Sequence, residues 1–268
     1  MKERLINSRP ESNISTLTDQ FYERAKTFNN SASWVTDSIL LKNLAQMVEK
    51  PAGTKGIELC CGTGVVSQEL SKLGLNMTGI DITPAMLRES AKHMKVTQGN
   101  VENLPFDDNS ADFIIIRQAL FLTESAKTLD SVRRVLKPGG QFIVCNTVPI
   151  SDDCDADYLK EIHLTKQKDL KQFYTASSLK EELTDHGFII CKAKFLTVRE
   201  SIDHWMNPRF APELSLEKRQ EVLDMIQFSP REYQKVRDLK IINGQTSENW
   251  GWQIYSTTID KVNQRTNI

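Results

Sequence analysis

The sequence predicts an α/β fold built on a parallel sheet with helices on both faces. Two observations predict it. Short, nearly continuous apolar runs recur at 57–60, 75–80, 113–116 and 142–145, as in strands buried on both sides. Between them lie segments whose apolar residues repeat at helical spacing, which gives the βαβ rhythm of a doubly covered sheet.

Each element follows in chain order. Phe21, Ala25 and Phe28 recur at helical spacing, and a second apolar-rich run covers 34–48. Pro51-Ala52-Gly53 breaks that pattern. Ile57-Glu58-Leu59-Cys60 reads as the first strand and Cys61-Gly62-Thr63-Gly64 as a tight turn. Val66, Leu70 and Leu73 then mark a helix face that Gly74 ends. The second strand, 75–80, closes on Asp81. Thr83-Pro84 opens the next helix, with the hydroxyl as cap and proline at the first helical position. Val96-Thr97 is a short third strand and 113–116 the fourth. Leu129, Val132 and Leu136 mark a helix that stops at Lys137-Pro138-Gly139-Gly140, before the fifth strand at 142–145.

The rhythm changes after Asn146. Ser178 with Glu181 reads as a capping box for a helix that runs to His186-Gly187, followed by a strand at 188–191. A charged, mostly helical stretch covers 199–248 before a last strand near 252–257. The expected division is an N-terminal helical lid over 1–50, a core over 51–198 and 249–268, and a substrate cap inserted at 199–248.

Composition narrows the function classes. The 268 residues carry 34 Lys and Arg against 35 Asp and Glu, a formal charge of −1 that offers no general attraction to nucleic acid. The apolar runs fall far short of the roughly 20 residues of a membrane span, and the first thirty residues lack the apolar centre of a signal peptide. Five cysteines, an odd number without metal-like spacing, point to reduced thiols, a cytoplasmic location and no metal site.

The residues that carry chemistry sit at the ends of the first four strands, where open α/β sheets bind ligands. Gly62 and Gly64 let a ligand lie against the backbone, or simply make a tight strand–helix turn. Glu58 before them suits a cationic amino group rather than a pyrophosphate, or orients the N–H groups of the loop. Asp81 suits a ribose diol, with helix capping as the alternative. Asn100 presents an amide to a purine edge, with Val101 or Met86 flanking the ring, although Met86 suits a helix core equally well. Arg117-Gln118-Ala119-Leu120 ends the fourth strand, beside the place for a reacting group.

Ile57-Glu58-Leu59-Cys60-Cys61-Gly62-Thr63-Gly64 resembles the first motif of class I S-adenosylmethionine-dependent methyltransferases. Asp81 matches their acidic ribose residue, Gly99-Asn100-Val101-Glu102-Asn103-Leu104-Pro105-Phe106 their adenine segment, and Leu136-Lys137-Pro138-Gly139-Gly140 the turn before their fifth strand. The nearest subgroup is the small-molecule type found in ubiquinone and menaquinone synthesis, and the resemblance spans roughly 17–195. It implies a Rossmann-like sheet with an antiparallel last strand. It also implies S-adenosylmethionine as cofactor, S-adenosylhomocysteine as product and methyl transfer to O, N or C of a small, partly apolar acceptor.

By the same resemblance, Glu58 would orient the glycine loop or meet the methionine amino group, Cys60, Gly62 and Gly64 would bind the cofactor, and Gln118 would lie on the backbone side of the methionine. Asp81 would hold the ribose, Asn100 and Val101 the adenine, with Ile82 and Met86 also at the cofactor; Tyr22 would close over the methyl donor, if it does not pack in the core. Two positions depart from the family. Cys60 replaces the first glycine, and Asn100 replaces an acid.

Should the acceptor have to lose a proton, His163 and His204 are candidate bases, although a lone histidine is more often structural or solvated. Asp152, Asp153, Asp155 and Asp157 read as a solvated acidic loop. The Asn/Asp-Pro-Pro-Tyr signature of base and glutamine methylation is missing after the fourth strand, which with the neutral charge argues against a nucleic-acid substrate. A nicotinamide enzyme would need a third glycine where Ser67 stands. A cofactor-binding regulatory or partner protein without turnover is the remaining alternative.

Overall fold

A computed structural model describes residues 14–259 apart from 168, 169 and 213. The 1–13 part of the expected lid and the 260–268 part of the expected core lie outside the described residues.

The N-terminal region is three helices, α1 (Ile14–Arg24), α2 (Ser33–Thr36) and α3 (Ser38–Gln46), with a 3-10 turn at Phe28–Asn30. Thus the first expected helix stops before Ala25, and the second splits at Asp37. The Asp37 carboxylate accepts the Leu40 N–H at 2.7 Å and starts α3 there.

The core follows as β1 (Lys55–Leu59), α4 (Val65–Ser71), β2 (Asn76–Asp81), α5 (Pro84–Ser90), β3 (Lys95–Gln98), β4 (Ala111–Arg117), α6 (Ser125–Val135) and β5 (Leu136–Val148). Next come α7 (Ala156–Lys166), α8 (Ala176–Asp185), β6 (Phe188–Ser201), α9 (Ile202–Trp205), α10 (Leu216–Gln227), α11 (Arg231–Val236), β7 (Lys240–Ile242) and β8 (Gln245–Ile259).

Among the described residues the sheet has the order β3-β2-β1-β4-β5-β8-β6, with β7 paired to β8. The strands from β1 to β5 run parallel to their neighbours, and β8 runs antiparallel to β5, β6 and β7. This is the Rossmann-like sheet with a reversed last strand that the sequence predicts. The chain reverses its direction of travel across the sheet at β1, so a crevice opens between the tips of β1 and β4.

Alternation along the strands divides the core. Phe113 and Ile115 of β4 face one layer, with Leu40 and Leu44 of α3 and Leu70 of α4. Ile114 and Ile116 face the other, with Leu129 and Val132 of α6 and Leu179 of α8.

Several local expectations need correction. The Thr83 hydroxyl makes no cap bond to α5; Asp81 accepts the Thr83 N–H instead, at 2.8 Å, while Pro84 does occupy the first helical position. The Lys137-Pro138-Gly139-Gly140 segment lies within the span of β5, as an irregularity where pairing to β4 jumps from Ala111↔Leu136 to Phe113↔Gln141. The capping box of α8 joins Thr175 to Ser178, not Ser178 to Glu181.

The stretch 199–248 is also less separate than expected. Its first residues belong to β6 and its last to β8, which pair from Phe188↔Ile259 to Ser201↔Ser247. The helices between them pack with α7 into the same apolar layer as the sheet, through Val222, Ile226 and Tyr233.

Asp155 departs from the solvated acidic loop. It is fully buried, and its Oδ2 accepts from Arg237 Nη1 at 2.9 Å. Arg237 Nε also donates to Glu248 at 3.0 Å, so one guanidinium joins the start of α7, the end of α11 and β8. Asp152, Asp153 and Asp157 are exposed, as expected.

Candidate functional site

The tips of β1, β2, β3 and β4 surround a cavity of about 410 Å³. β1 and its turn supply Glu58, Cys60, Cys61, Gly62, Thr63 and Val65. β2 and α5 supply Asp81, Ile82, Thr83 and Met86, the β3 turn supplies residues from Gly99 to Glu102, and β4 ends in Arg117, Gln118 and Ala119. Phe21, Phe28 and Trp34 close one side, and Leu122, Thr123, Glu124 and Lys171 another.

The turn after β1 is shaped by left-handed backbone. Cys60 has φ +48°, Gly62 +52° and Gly64 +81°. A side chain at +48° is strained, so this geometry explains why glycine is the easier residue at position 60. The β-carbon absent from Gly62 would meet nothing nearer than Phe28 at 3.8 Å and Met86 at 3.9 Å, two residues of the cavity wall. Gly64 differs, because a β-carbon there would strike Met94 Cε at 2.9 Å and Ser90 Cβ at 3.1 Å. Gly64 does not line the cavity. Its missing side chain lets α4 start close against the end of α5.

Two carboxylates organise the turn from below. Asp81 takes the Gly62 N–H at 2.9 Å on one oxygen and the Thr83 N–H at 2.8 Å on the other. Burial pushes its carboxyl above the ordinary value, and those N–H groups oppose the rise. Glu58 takes the backbone N–H of Ser67 at 2.9 Å and the Ser67 hydroxyl at 2.5 Å, both on Oε2. Its burial is dominant, and the carboxyl is pushed up to about 7.

At β4, Gln118 adopts φ +53° and spends its amide on β5. Its Nε2 donates to the Thr147 hydroxyl at 2.7 Å, and its Oε1 accepts the Thr147 N–H at 2.7 Å. Arg117 donates from Nη1 to Trp34 O at 3.3 Å and from Nη2 to Val35 O at 3.1 Å, with its guanidinium 5.1 Å from the Trp34 ring centre. Asn100 caps the 3-10 turn at Val101–Asn103 by accepting the Glu102 N–H at 2.9 Å.

Residues 57–144, which hold all four strand tips, match the family described as methyltransferase domain. Over these residues the chain is similar to that family. Demethylmenaquinone methyltransferase of Staphylococcus haemolyticus is 30% identical over 151 residues, 53% of this chain and 63% of that protein. The Staphylococcus aureus enzyme of the same name is 33% identical over 147 residues, 49% of this chain and 61% of that protein. The chain thus matches less than two thirds of the length of these relatives. The YcgJ protein from Bacillus subtilis has the same fold, with a TM-score of 0.71 at 16% identity over 82% of this chain and 98% of its own. Geranyl diphosphate C-methyltransferase from Streptomyces coelicolor does too, with a TM-score of 0.57 at 11% identity over 83% and 79%.

The residues expected at a site fall into two groups. Glu58, Cys60, Gly62, Asp81, Ile82, Met86, Asn100, Val101 and Gln118 all line the one cavity. Tyr22, Gly64, His163 and His204 do not. Tyr22 is 49% exposed beneath the Arg88 guanidinium, and its neighbour Phe21 faces the cavity instead. His163 packs against Phe173, Trp205 and Trp250, and burial, with the charges of Lys166 and Arg237, pulls it down to about 3. His204 Nε2 bonds the Asn30 carbonyl. None of the described residues of 199–248 lines the cavity. Trp205, Trp250 and Trp252 are buried in the apolar layer.

Sequence reasoning missed Phe21, Phe28, Trp34, Thr63 and Lys171 as wall residues. The aromatic ones were visible as a helical apolar face, but spacing does not tell a core from a cavity lining. Among the described residues no group of His, Cys, Asp and Glu is arranged to hold a metal, and no helix is long and apolar enough to cross a membrane.

Proposed function

We propose that the chain is an S-adenosylmethionine-dependent methyltransferase acting on a small, partly apolar acceptor. The observation that carries this reading is the convergence of a glycine turn, a buried Asp and an Asn-Val pair on one cavity. The cavity fits such a cofactor on its own chemistry. The open space beside Gly62 admits a ligand to the backbone, and Asp81 offers a ribose diol the remaining acceptor capacity of its carboxylate. Ile82, Met86, Asn100 and Val101 form the adenine end, and Glu58, Cys60, Gly62 and Thr63 the methionine end.

When bound, S-adenosylmethionine supplies a methyl group already activated by a positive sulfur, leaving S-adenosylhomocysteine after transfer. The protein then has to align and dry the reactants, and alignment alone can supply about 7–11 kcal/mol. Phe21, Phe28 and Trp34 do both, as an aromatic wall from the N-terminal lid. Neither His163 nor His204 lines the cavity. Glu58, with its carboxyl at about 7, is the wall group poised to carry charge near neutrality.

The aromatic wall and the relatives named for demethylmenaquinone both support an acceptor with an apolar, planar part. Calorimetric titration with S-adenosylmethionine and S-adenosylhomocysteine tests the cofactor; absence of binding would refute the reading. A screen of quinol and phenol acceptors, scored by S-adenosylhomocysteine release, tests turnover. Tight binding without release from any acceptor would favour a regulatory protein.

A further inference from the structure

Trp34 owes its place in the cavity wall to residues far away in sequence. It stands on α2, a helix of only four residues, too short to hold itself. Glu200, at the end of β6, is fully buried and does not line the cavity. Its Oε1 accepts the Ser33 N–H at 2.8 Å and its Oε2 the Trp34 N–H at 3.2 Å. Arg117 takes the opposite polarity, donating to the carbonyls of Trp34 and Val35. A carboxylate therefore grips the donors of α2 while a guanidinium grips its acceptors. The Trp34 ring centre is 5.1 Å from the Arg117 guanidinium and 5.4 Å from the centre of the Trp252 ring. The segment just before is tied as well, with the Thr63 hydroxyl donating to Asn29 at 2.5 Å.

We propose that Glu200 is a positioning residue for the transfer site, acting from outside the cavity by fixing Trp34 as the wall of its methionine end. The proposal rests on reading that cavity as the cofactor site. It gives a buried acid 166 positions from Trp34 a task in ligand binding. Both carboxylate oxygens are needed, because the first two N–H groups of so short a helix have no partner inside it.

The test replaces Glu200 by Ala and by Gln in the full chain labelled with 5-fluorotryptophan. The four tryptophans give four fluorine signals, and Trp34→Phe identifies the one that matters. In the unliganded protein, Glu200→Ala is expected to shift and broaden the Trp34 signal while leaving that of Trp205 in place. Its Kd for S-adenosylhomocysteine is expected to rise about tenfold, equivalent to about 1.4 kcal/mol. Glu200→Gln, which keeps one acceptor oxygen and the side-chain volume, should fall between it and the native protein in both readouts, and stands in if the alanine variant does not fold. A Trp34 signal unchanged in both variants would overturn the proposal. So would a displaced signal with native affinity, which would leave Glu200 a purely structural role. Failure of the native protein to bind S-adenosylhomocysteine would instead refute the cofactor reading, and with it the positioning role.

Discussion

Asp81 holds the Gly62 N–H at 2.9 Å, so the acid at the tip of β2 braces the turn after β1. The same carboxylate starts α5 through Thr83. Asp81→Ala should therefore lower stability by about 1–3 kcal/mol, the cost of orphaning buried donors. It should also raise the Kd for S-adenosylhomocysteine by more than about tenfold, since hydrogen bonds to charged groups are worth about 1.5–3 kcal/mol. Paired urea denaturation and calorimetry check both parts; native affinity in the folded variant would remove Asp81 from the ligand site.

Gly62 and Gly64 are two residues apart and should fail differently. Gly64→Ala meets Met94 and Ser90 at about van der Waals overlap and keeps a left-handed φ of +81°. It should cost about 1–3 kcal/mol of stability with affinity largely kept, as overpacking does. Gly62→Ala, with open space around its new methyl, should cost about 1 kcal/mol of strain but weaken ligand binding more. Denaturation and calorimetry on both variants would show the crossed pattern, and a shared loss of affinity would refute it.

Glu58 predicts a pH effect of definite sign. Burial raises its carboxyl from 4.5 to about 7. Between those values the unfolded chain has released a proton that the folded protein keeps, so stability is greatest below about 4.5 and is lost as pH rises through about 7. At about 1.36 kcal/mol per unit the loss is at most about 3 kcal/mol. Urea denaturation at pH 5 and pH 8 should show a larger fall for the native protein than for Glu58→Gln. Equal falls would mean that the group ionises normally.

Arg237 neutralises two buried acids at once. Arg237→Met should destabilise by about 3–5 kcal/mol, because Asp155 and Glu248 would be left without their cation. The triple change with Asp155→Leu and Glu248→Gln should recover part of that loss. A single variant with native thermal stability would contradict the buried arrangement.

Phe21 and Tyr22 mark the limit of what the sequence discloses. Successive positions on a helix point about a third of a turn apart, so a shift of one residue exchanges the cavity for solvent. The strand tips were legible because glycine, Asp81 and Asn100 each follow an apolar run at a fixed point of the βα repeat. Gly64 is legible in the sequence as a turn residue but not as a packing one, since Met94 lies thirty positions away in another element. Asp155 with Arg237, and Trp34 with Glu200, were invisible for the same reason: periodicity describes one element at a time, and these pairs bridge 82 and 166 positions. The polar ends of β6 and β8 carry no apolar alternation strong enough to separate them from the helices between them.

Glu200 and Glu248 are direct partners across β6 and β8. Like charges in that relation are unfavourable unless each finds its own counterpart, which here are the α2 donors and Arg237. A slip of the two strands by one residue would turn one acid to the wrong face and strand it. The pair therefore adds a polar condition to the apolar one in setting the register: only the native alignment of these two strands gives both acids their partners.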